Sequence, residues 1–391
     1  MAYQPAAWNA QAKALFVAGR CREAVQHCLT ALESGDAPSA DAYYQPALYL
    51  LEIGDLERAT RLLAEGIAAW PNHPQLRLAL GIALDRAGKS GAALAQLQTY
   101  TELGGREAQA FDTMVASVLR GGDMTPALLN GTLALSRKDK KAMATGVAPP
   151  LRYRRGVGRN KKILSFTLFG TDPRYLRGAL QNILLAPTIY PGWTCRFYVD
   201  HMVDATLLEA LSDEGAELCH DPQEDGDLRR LLSRRFLVAD DPDVDLFQIR
   251  DCDSVISPRE AAAVEAWIAS DLPFHAMRDW WTHTDLMLAG MWGGRAGALP
   301  DLGQRLAAAL RDNADGPNWD QQFLARHVWP SVRDSILVHD RLYQAQATRP
   351  FPGAIPTGTT HVGQNEYVAD PFGQAAQLAR FARQIPALQL L

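Results

Sequence analysis

The segments LFVAGRCREA (15–24), LLEIGDLERA (50–59), LDRAGKSGAA (84–93) and VLRGGDMTPA (118–127) set one register for the first third of the chain. Their glycines, Gly19, Gly54, Gly88 and Gly122, fall 35, 34 and 34 residues apart. An alanine follows each by five residues: Ala24, Ala59, Ala93 and Ala127. Glycine adopts the backbone conformations that a tight turn between antiparallel helices needs, and alanine lets two helix backbones approach closely. A repeat of this length is read as a helix–turn–helix stacked on copies of itself. Pro71 and Pro74 in WPNHP fall where the second helix of a repeat should stop. Chance glycines among generic amphipathic helices are the alternative, and four matches in one register count against it.

With 391 residues, the chain is too long for one typical domain and comfortable for two. Hydrophobic residues at 47% and charged residues at 21% are an ordinary globular composition, which argues against a disordered chain. The formal net charge of −5 gives no electrostatic footprint for nucleic acid. Cys21, Cys28, Cys195, Cys219 and Cys252 lack CxxC spacing, so reduced thiols in a cytoplasmic protein are expected rather than a disulfide framework. Met1–Asn9 has neither the basic nor the apolar region of a signal peptide. No apolar run reaches the roughly 18–20 residues that cross a bilayer, so a soluble protein is expected, at most peripheral to the inner face of a membrane.

Residues 136–161 change character. SRKDKKAMATGVAPPLRYRRGVGRN is basic, holds two adjacent prolines and has no clean period, which reads as an interdomain linker. A solvated hinge is the plain reading of its charge; tracking an acidic surface or phosphates is the other. The division is thus a helical repeat domain over 1–135, the linker, and an α/β domain over 162–391. In the last, ILSFTLFG is a short apolar run that ends in Gly170 and is followed by Asp172, as a buried parallel strand should be. TDPRYLRGALQNILLA then reads as helix, WTCRFYVD as strand, ATLLEALSDEGAELCHD as helix and strand, SRRFLVADDP as helix, and VDLFQIRDCDS as a strand ending in acid. Strand, helix and strand in succession imply a parallel sheet with sites at the strand carboxyl ends.

Asp251-Cys252-Asp253 directly follows the apolar LFQI and Arg250. Alternation places Asp251 and Asp253 on one side and Cys252 on the other. Two hard oxygen donors converging there can hold Mn²⁺ or Mg²⁺, which in turn can bridge a diphosphate. A DxD triplet by itself is weak, because most are solvated turns; the position after a buried strand strengthens it.

Two resemblances follow from these residues. The repeats of the first third match the tetratricopeptide pattern. The stretch from about 162 to 370 resembles a GT-A-fold, Rossmann-like glycosyltransferase, of the glycogenin and bacterial galactosyltransferase type. Arg235 with FLVADDP, a strand and DCD resembles that family's arginine–helix–strand–DxD segment. Ala289-Gly290-Met291 stands in the place of its Asn-Ala-Gly segment, without the asparagine. Asp320-Gln321-Gln322 resembles its DQ motif, and His361-Val362-Gly363 its late HxG motif, without the family's following lysine in QNEY.

The resemblance implies a metal site of Asp251, Asp253 and His361, and contacts to the nucleotide base from Asp172 and Tyr175. It also implies that Asp320 and Gln321 face the anomeric centre, Gln321 stabilising an oxocarbenium-like transition state and Asp320 positioning hydroxyls. The implied ligands are a nucleotide sugar, most simply a UDP-sugar, and a saccharide, glycan or protein acceptor. Read from the residues alone, Asp172 caps the next helix, a role compatible with binding. Arg235 puts positive charge near a donor or on the surface, Asp320 is an N-cap, and His361 is a ligand or a surface histidine in a Gly- and Thr-rich loop. Gly363 permits a close backbone approach to a diphosphate. In FHAMRDWWTHTDLMLAGMWGG (274–294), aromatic rings and carboxylates suit a sugar cleft, although tryptophans are commonly core. The acidic His220–Asp227 is either a mobile loop over the site or plain surface.

A metal-dependent glycosyltransferase is the expected activity, with the repeats recruiting an acceptor, binding a protein partner or mediating self-association. A repeat scaffold carrying a non-catalytic transferase-like domain is the alternative. A nucleotidyltransferase would usually add a Gly-rich phosphate loop near the first strand, which LFGTDPRY is not.

Overall fold

A computed structural model describes residues 8–35, 39–121, 124–152, 160–223, 226–311, 318–343 and 345–364. Of the positions singled out above, Gly122, residues 153–159 of the expected linker, residues 224–225 of the acidic stretch and the residues after Gln364 lie outside them. The chain divides into two units, Met1–Arg137 and Lys138–Leu391.

The first unit is all helix: α1 (Ala10–Val17), α2 (Cys21–Glu33), α3 (Ala40–Glu52), α4 (Leu56–Ala69), α5 (Pro74–Arg86), α6 (Ser90–Glu102), α7 (Ala108–Gly121) and most of α8 (Thr125–Thr145). Gly19, Gly54 and Gly88 have φ of +76°, +78° and +73°, the left-handed region that L side chains avoid. At each one the next residue's N–H reaches back to a carbonyl five residues earlier: Arg20 to Leu15, Asp55 to Leu50 and Lys89 to Leu84, all at 2.9 Å. This Schellman closure satisfies the carbonyls that a helix end leaves open. The alanines five residues on, Ala24, Ala59 and Ala93, are fully buried. Pro71 directly follows the end of α4, whereas Pro74 opens α5, where its missing N–H is harmless.

The linker expectation is corrected at its start. The SRKDKK stretch is the end of α8, which runs to Thr145. Asp139, the one acid in that stretch, accepts from Trp329 Nε1 at 2.8 Å and from Arg333 Nε at 2.8 Å. Lys138 reaches Asp285 at 2.8 Å. These bonds lie within the second unit and hold the stretch down as an anchored helix end.

In the second unit the strands are β1 (Lys162–Leu168), β2 (Thr194–Val199), β3 (Glu217–His220), β4 (Leu246–Arg250), β5 (Phe274–Arg278), β6 (Met291–Arg295), β7 (Ile336–Asp340) and β8 (Thr348–Arg349). The helices are α9 (Pro173–Ile189), α10 (Ala205–Asp213), α11 (Leu228–Ser233), α12 (Pro258–Ala269), α13 (Leu302–Arg311), α14 (Trp319–His327) and α15 (Trp329–Val332). The expected helix over SRRFLVADDP is a 3₁₀ helix, Arg234–Asp240.

The sheet order is β3-β2-β1-β4-β6-β5-β7-β8. The sheet is mixed rather than all parallel, because β6 runs antiparallel to both β4 and β5. From β1 the chain steps outward to β2 and β3, then returns to place β4 on the other side of β1, with both neighbours of β1 parallel to it. The winding therefore reverses between β1 and β4, the place where sheets of this kind form a crevice at the strand carboxyl ends. The core beneath packs Leu176, Leu180 and Ile183 of α9 and Trp267 of α12 with Phe166 and Phe197 of the sheet.

Candidate active site

Both arms of the crevice carry charge. β1 leads to Asp172, whose side chain caps α9 by accepting the N–H of Arg174 at 2.9 Å. β4 ends at Arg250, so Asp251, Cys252 and Asp253 lie in a turn rather than in the strand. The side assignment from alternation nonetheless has a counterpart: Cys252 is buried at 1% exposure, while the Asp251 side chain is 42% exposed.

Each acid of the turn is met by an arginine. The Arg235 guanidinium, 3% exposed, pairs with Asp251 through Nη1 and with Asp320 through Nη2 at 3.2 Å. Arg174 Nη2 lies 2.5 Å from Asp253 and donates to the Tyr175 hydroxyl at 2.7 Å, its guanidinium over the Tyr175 ring. Thus Asp251, Asp253, Asp320, Arg235 and Tyr175, all singled out from the sequence, come together. Arg174 joins them unforeseen. Burial pushes the Asp253 carboxyl above the usual carboxylate range; the Asp251 charge adds to this and Arg174 opposes it. Burial likewise raises Asp320, against the pull of Arg235.

β1 holds Arg235 in place with its own side chains. Ser165 Oγ donates to the Arg235 carbonyl at 2.8 Å, and the Arg235 N–H donates to Thr167 Oγ1 at 3.3 Å. The two hydroxyls are two residues apart and so share one face of the strand. α9 holds the acidic turn. Fully buried Asn182 donates to the carbonyls of Cys252 and Ser254 at 3.1 and 3.0 Å and accepts the Ile256 N–H at 3.0 Å. One turn earlier, a Cβ on Gly178 would stand 2.0 Å from the Cys252 carbonyl oxygen, so only glycine admits this approach. Neither residue was singled out from the sequence. The available signal was an amide and a glycine on the apolar face of LRGALQNILLA.

The loop before β6 closes on the same acid. A Cβ at Gly290 would lie 2.0 Å from Asp251 Oδ2, which explains glycine there and is the contact made by the Ala-Gly-Met segment. Two buried arginines at strand ends fix this loop. Arg250 donates to the Gly290 carbonyl at 3.1 Å and pairs with Glu260 at 2.7 Å, both side chains fully buried. Arg278 donates to the Leu286 carbonyl at 3.2 Å and pairs with Asp340 at 2.7 Å. The Arg-Asp pairs that end β4 and β5 therefore do one job twice. In each, the arginine donates to the carbonyl at one end of the 286–290 segment.

Among the described residues no group of three His, Cys, Asp or Glu side chains gathers as a metal site, so Asp251, Asp253 and His361 are not brought together. His361 stacks on Trp280, centroids 4.5 Å apart, and its Nδ1 bonds the Thr359 carbonyl at 2.6 Å. Its loop is tied down by Asp279, which accepts the Val362 N–H at 2.9 Å and pairs with Arg259, and by Ser254 Oγ, which donates to the Gly363 carbonyl at 3.3 Å. Gly363, at φ +84°, packs against Met291, not against the acids. The 274–294 segment is correspondingly structural in part: Arg278 and Asp279 are buried in pairs, while Trp280 is half-buried against His361.

Asp320 is not the N-cap of its helix. Asn318 holds that position, and Asp320 lies two residues on, in the first turn, with its Oδ1 accepting the Gln321 N–H at 2.9 Å. Gln321 is half-buried beside it. Asp251 and Asp253 offer hard carboxylate oxygens of the kind that suits a divalent cation, the Asp251 side chain being well exposed while the Gly290 backbone packs against it. No helix among the described residues is long and apolar enough to cross a membrane.

No family model matches the chain, and no curated protein matches it. Among solved structures it is similar to a mutant of an O-GlcNAc transferase from Thermobaculum terrenum. The identity is 18%, the match covers 61% of this chain and 44% of that one, and the TM-score is 0.35. It is also similar to MamA (41-end) from Desulfovibrio magneticus at 16% identity, over 34% of this chain and 76% of that one, with a TM-score of 0.31. The match thus spans less than half the length of the transferase.

Proposed function

We propose that the second unit is a GT-A-like, metal-dependent glycosyltransferase that moves a sugar from a nucleotide-sugar donor to a saccharide, glycan or protein acceptor. One observation carries this reading: acids from the β4 turn and from α14 and arginines from the 3₁₀ helix and from α9 converge at the crevice between β1 and β4. Asp251 and Asp253 are the residues that would hold Mn²⁺ or Mg²⁺. When bound, such an ion neutralises charge developing on a leaving diphosphate. Tyr175, beside the β1 end, offers a ring face to the nucleotide base, a UDP base in the simplest case, and Asp172 lies next to it. Asp320, fixed by Arg235, is placed to orient hydroxyls, with Gln321 at the anomeric centre. His361 is left out of the cation's donor set and, with Trp280, is assigned to the wall of the acceptor side.

The first unit, read as tetratricopeptide-like, would recruit the acceptor or a protein partner. A groove of about 780 Å³ between α6, α7 and α8, lined by Leu94, Phe111, Met114, Leu133, Arg106 and Arg137, supports that part.

A non-catalytic transferase-like domain on a repeat scaffold is the second reading. The ion pairing of both turn acids to arginine favours it. Thermal shift and donor hydrolysis across a panel of nucleotide sugars with Mn²⁺ separate the two. Stabilisation by a nucleoside diphosphate and Mn²⁺ that disappears in Asp253→Ala is the expected result. No response to any nucleotide, with or without metal, would sink the enzyme reading.

A further inference from the structure

The crevice holds three carboxylates, Asp251, Asp253 and Asp320, and two guanidinium groups, Arg174 and Arg235, a formal balance of −1. Each acid of the turn has its own arginine. Arg174 Nε and Arg235 Nε are buried and meet no hydrogen-bond partner among the described residues, as is also true of Arg250 Nε and Arg305 Nε. Arg174 is, besides, misplaced for its helix. It stands in the first turn of the 17-residue α9, where the peptide dipoles favour negative charge, and that turn has no acid.

We propose that Arg174 and Arg235 occupy the turn acids in place of a divalent cation, and that the cation and a diphosphate bind as a coupled pair by exchange. The proposal rests on the transferase reading of the same crevice. A cation coordinated by Asp251 and Asp253 repels the adjacent guanidinium groups, so Arg174 leaves Asp253, and Arg235 keeps Asp320 while loosening from Asp251. Without a new acceptor, that step costs each arginine one carboxylate partner, and Arg235 is almost wholly buried, which penalises the metal on its own. A diphosphate supplies the missing acceptors, since a guanidinium fork matches phosphate oxygens with two parallel N–H donors. The charge follows the same logic: a divalent cation turns −1 into +1, which the diphosphate then offsets. Each ligand therefore tightens the other by the same factor.

Calorimetric titration of the full chain with Mn²⁺, with inorganic pyrophosphate, and with pyrophosphate at saturating Mn²⁺ tests this, after correction for the Mn²⁺–pyrophosphate complex formed in solution. Coupling of about 5- to 150-fold is expected in the wild type. Arg174→Ala should separate the two affinities in opposite directions. Mn²⁺ alone should bind about fivefold or more tightly, and pyrophosphate with Mn²⁺ about tenfold more weakly, the low and middle of the usual coupling range. Arg174→Lys, which keeps the charge without the fork, should fall between. Arg174 is about one-third exposed, and circular dichroism checks that both variants are folded. If Mn²⁺ binds Arg174→Ala no better than the wild type, or if wild-type Mn²⁺ affinity ignores pyrophosphate, the exchange is overturned while the transferase reading stands. If neither ligand binds the wild type, both fail.

Discussion

The two units differ in how far apart in sequence their decisive contacts lie. In the helical unit each turn is closed by its own residues: the Arg20 N–H bonds Leu15, Asp55 bonds Leu50, and Lys89 bonds Leu84. In the α/β unit the site is assembled from afar. Arg235 meets Asp320 across 85 residues, and Asn182 holds carbonyls 70 and 72 residues away. The same contrast runs through the chemistry. The helical turns depend on backbone conformation and small size, and the crevice on buried charges that are tolerable only because partners arrive from other elements. Damage to the first should stay local, and damage to the second should spread to everything the network fixes.

The largest test of this contrast is Arg250→Ala. It leaves Glu260 buried without its counter-charge, held among the described residues only by the Tyr190 hydroxyl, and the Gly290 carbonyl without its donor, and breaking such a pair costs about 3–5 kcal/mol. Hydrogen exchange read by mass spectrometry should show protection lost across β4, β6 and the 286–290 segment while α3–α6 stay protected. Equal loss in both units would contradict independent cores.

Asn182→Leu is the next in size. It keeps the volume and apolar context of α9 but leaves two carbonyls and one N–H of the acidic turn without partners, at a cost of about 2–3 kcal/mol. Urea denaturation measures the loss. Mn²⁺ binding should weaken with it, because the turn that presents Asp251 and Asp253 is freed. A variant that loses stability but binds Mn²⁺ as before would show that the turn holds its shape without α9.

The smallest effect is expected in the helical unit. Gly54→Ala places a Cβ at φ +78° with open space around it, so the penalty is conformational only, about 1 kcal/mol. The urea midpoint should fall slightly and protection should drop only at the α3–α4 turn. Loss of protection in β4 would break the comparison from the other side.

Much of this was legible in the sequence for reasons of range. The glycine period predicts the turns because left-handed backbone is a local demand, and ILSFTLFG and LFQI predict buried strands because an apolar run of that length has few other uses. Asp251, Asp253, Arg235, Asp320 and Tyr175 were legible as polar residues at element ends. Arg174, Gly178 and Asn182 were not, since a single arginine in a first turn, a helix glycine and a lone amide each have common local explanations. The neighbours of His361 were not legible, because its motif fixes a loop, not where that loop packs; Trp280 and Asp279 are those neighbours. The antiparallel β6 was also missed, because strand direction leaves no mark in a five-residue apolar segment.

By itself, then, the sequence determined the repeating helical turns, the kinds and ends of the elements, and the presence of an acid pair after a buried strand. The tertiary structure alone decided which charge meets which: Arg174 with Asp253, Arg235 with Asp251 and Asp320, Arg250 with Glu260. The physical reason is that backbone preference acts over a few residues, whereas a buried charge takes whatever counter-charge the packing brings within hydrogen-bond reach.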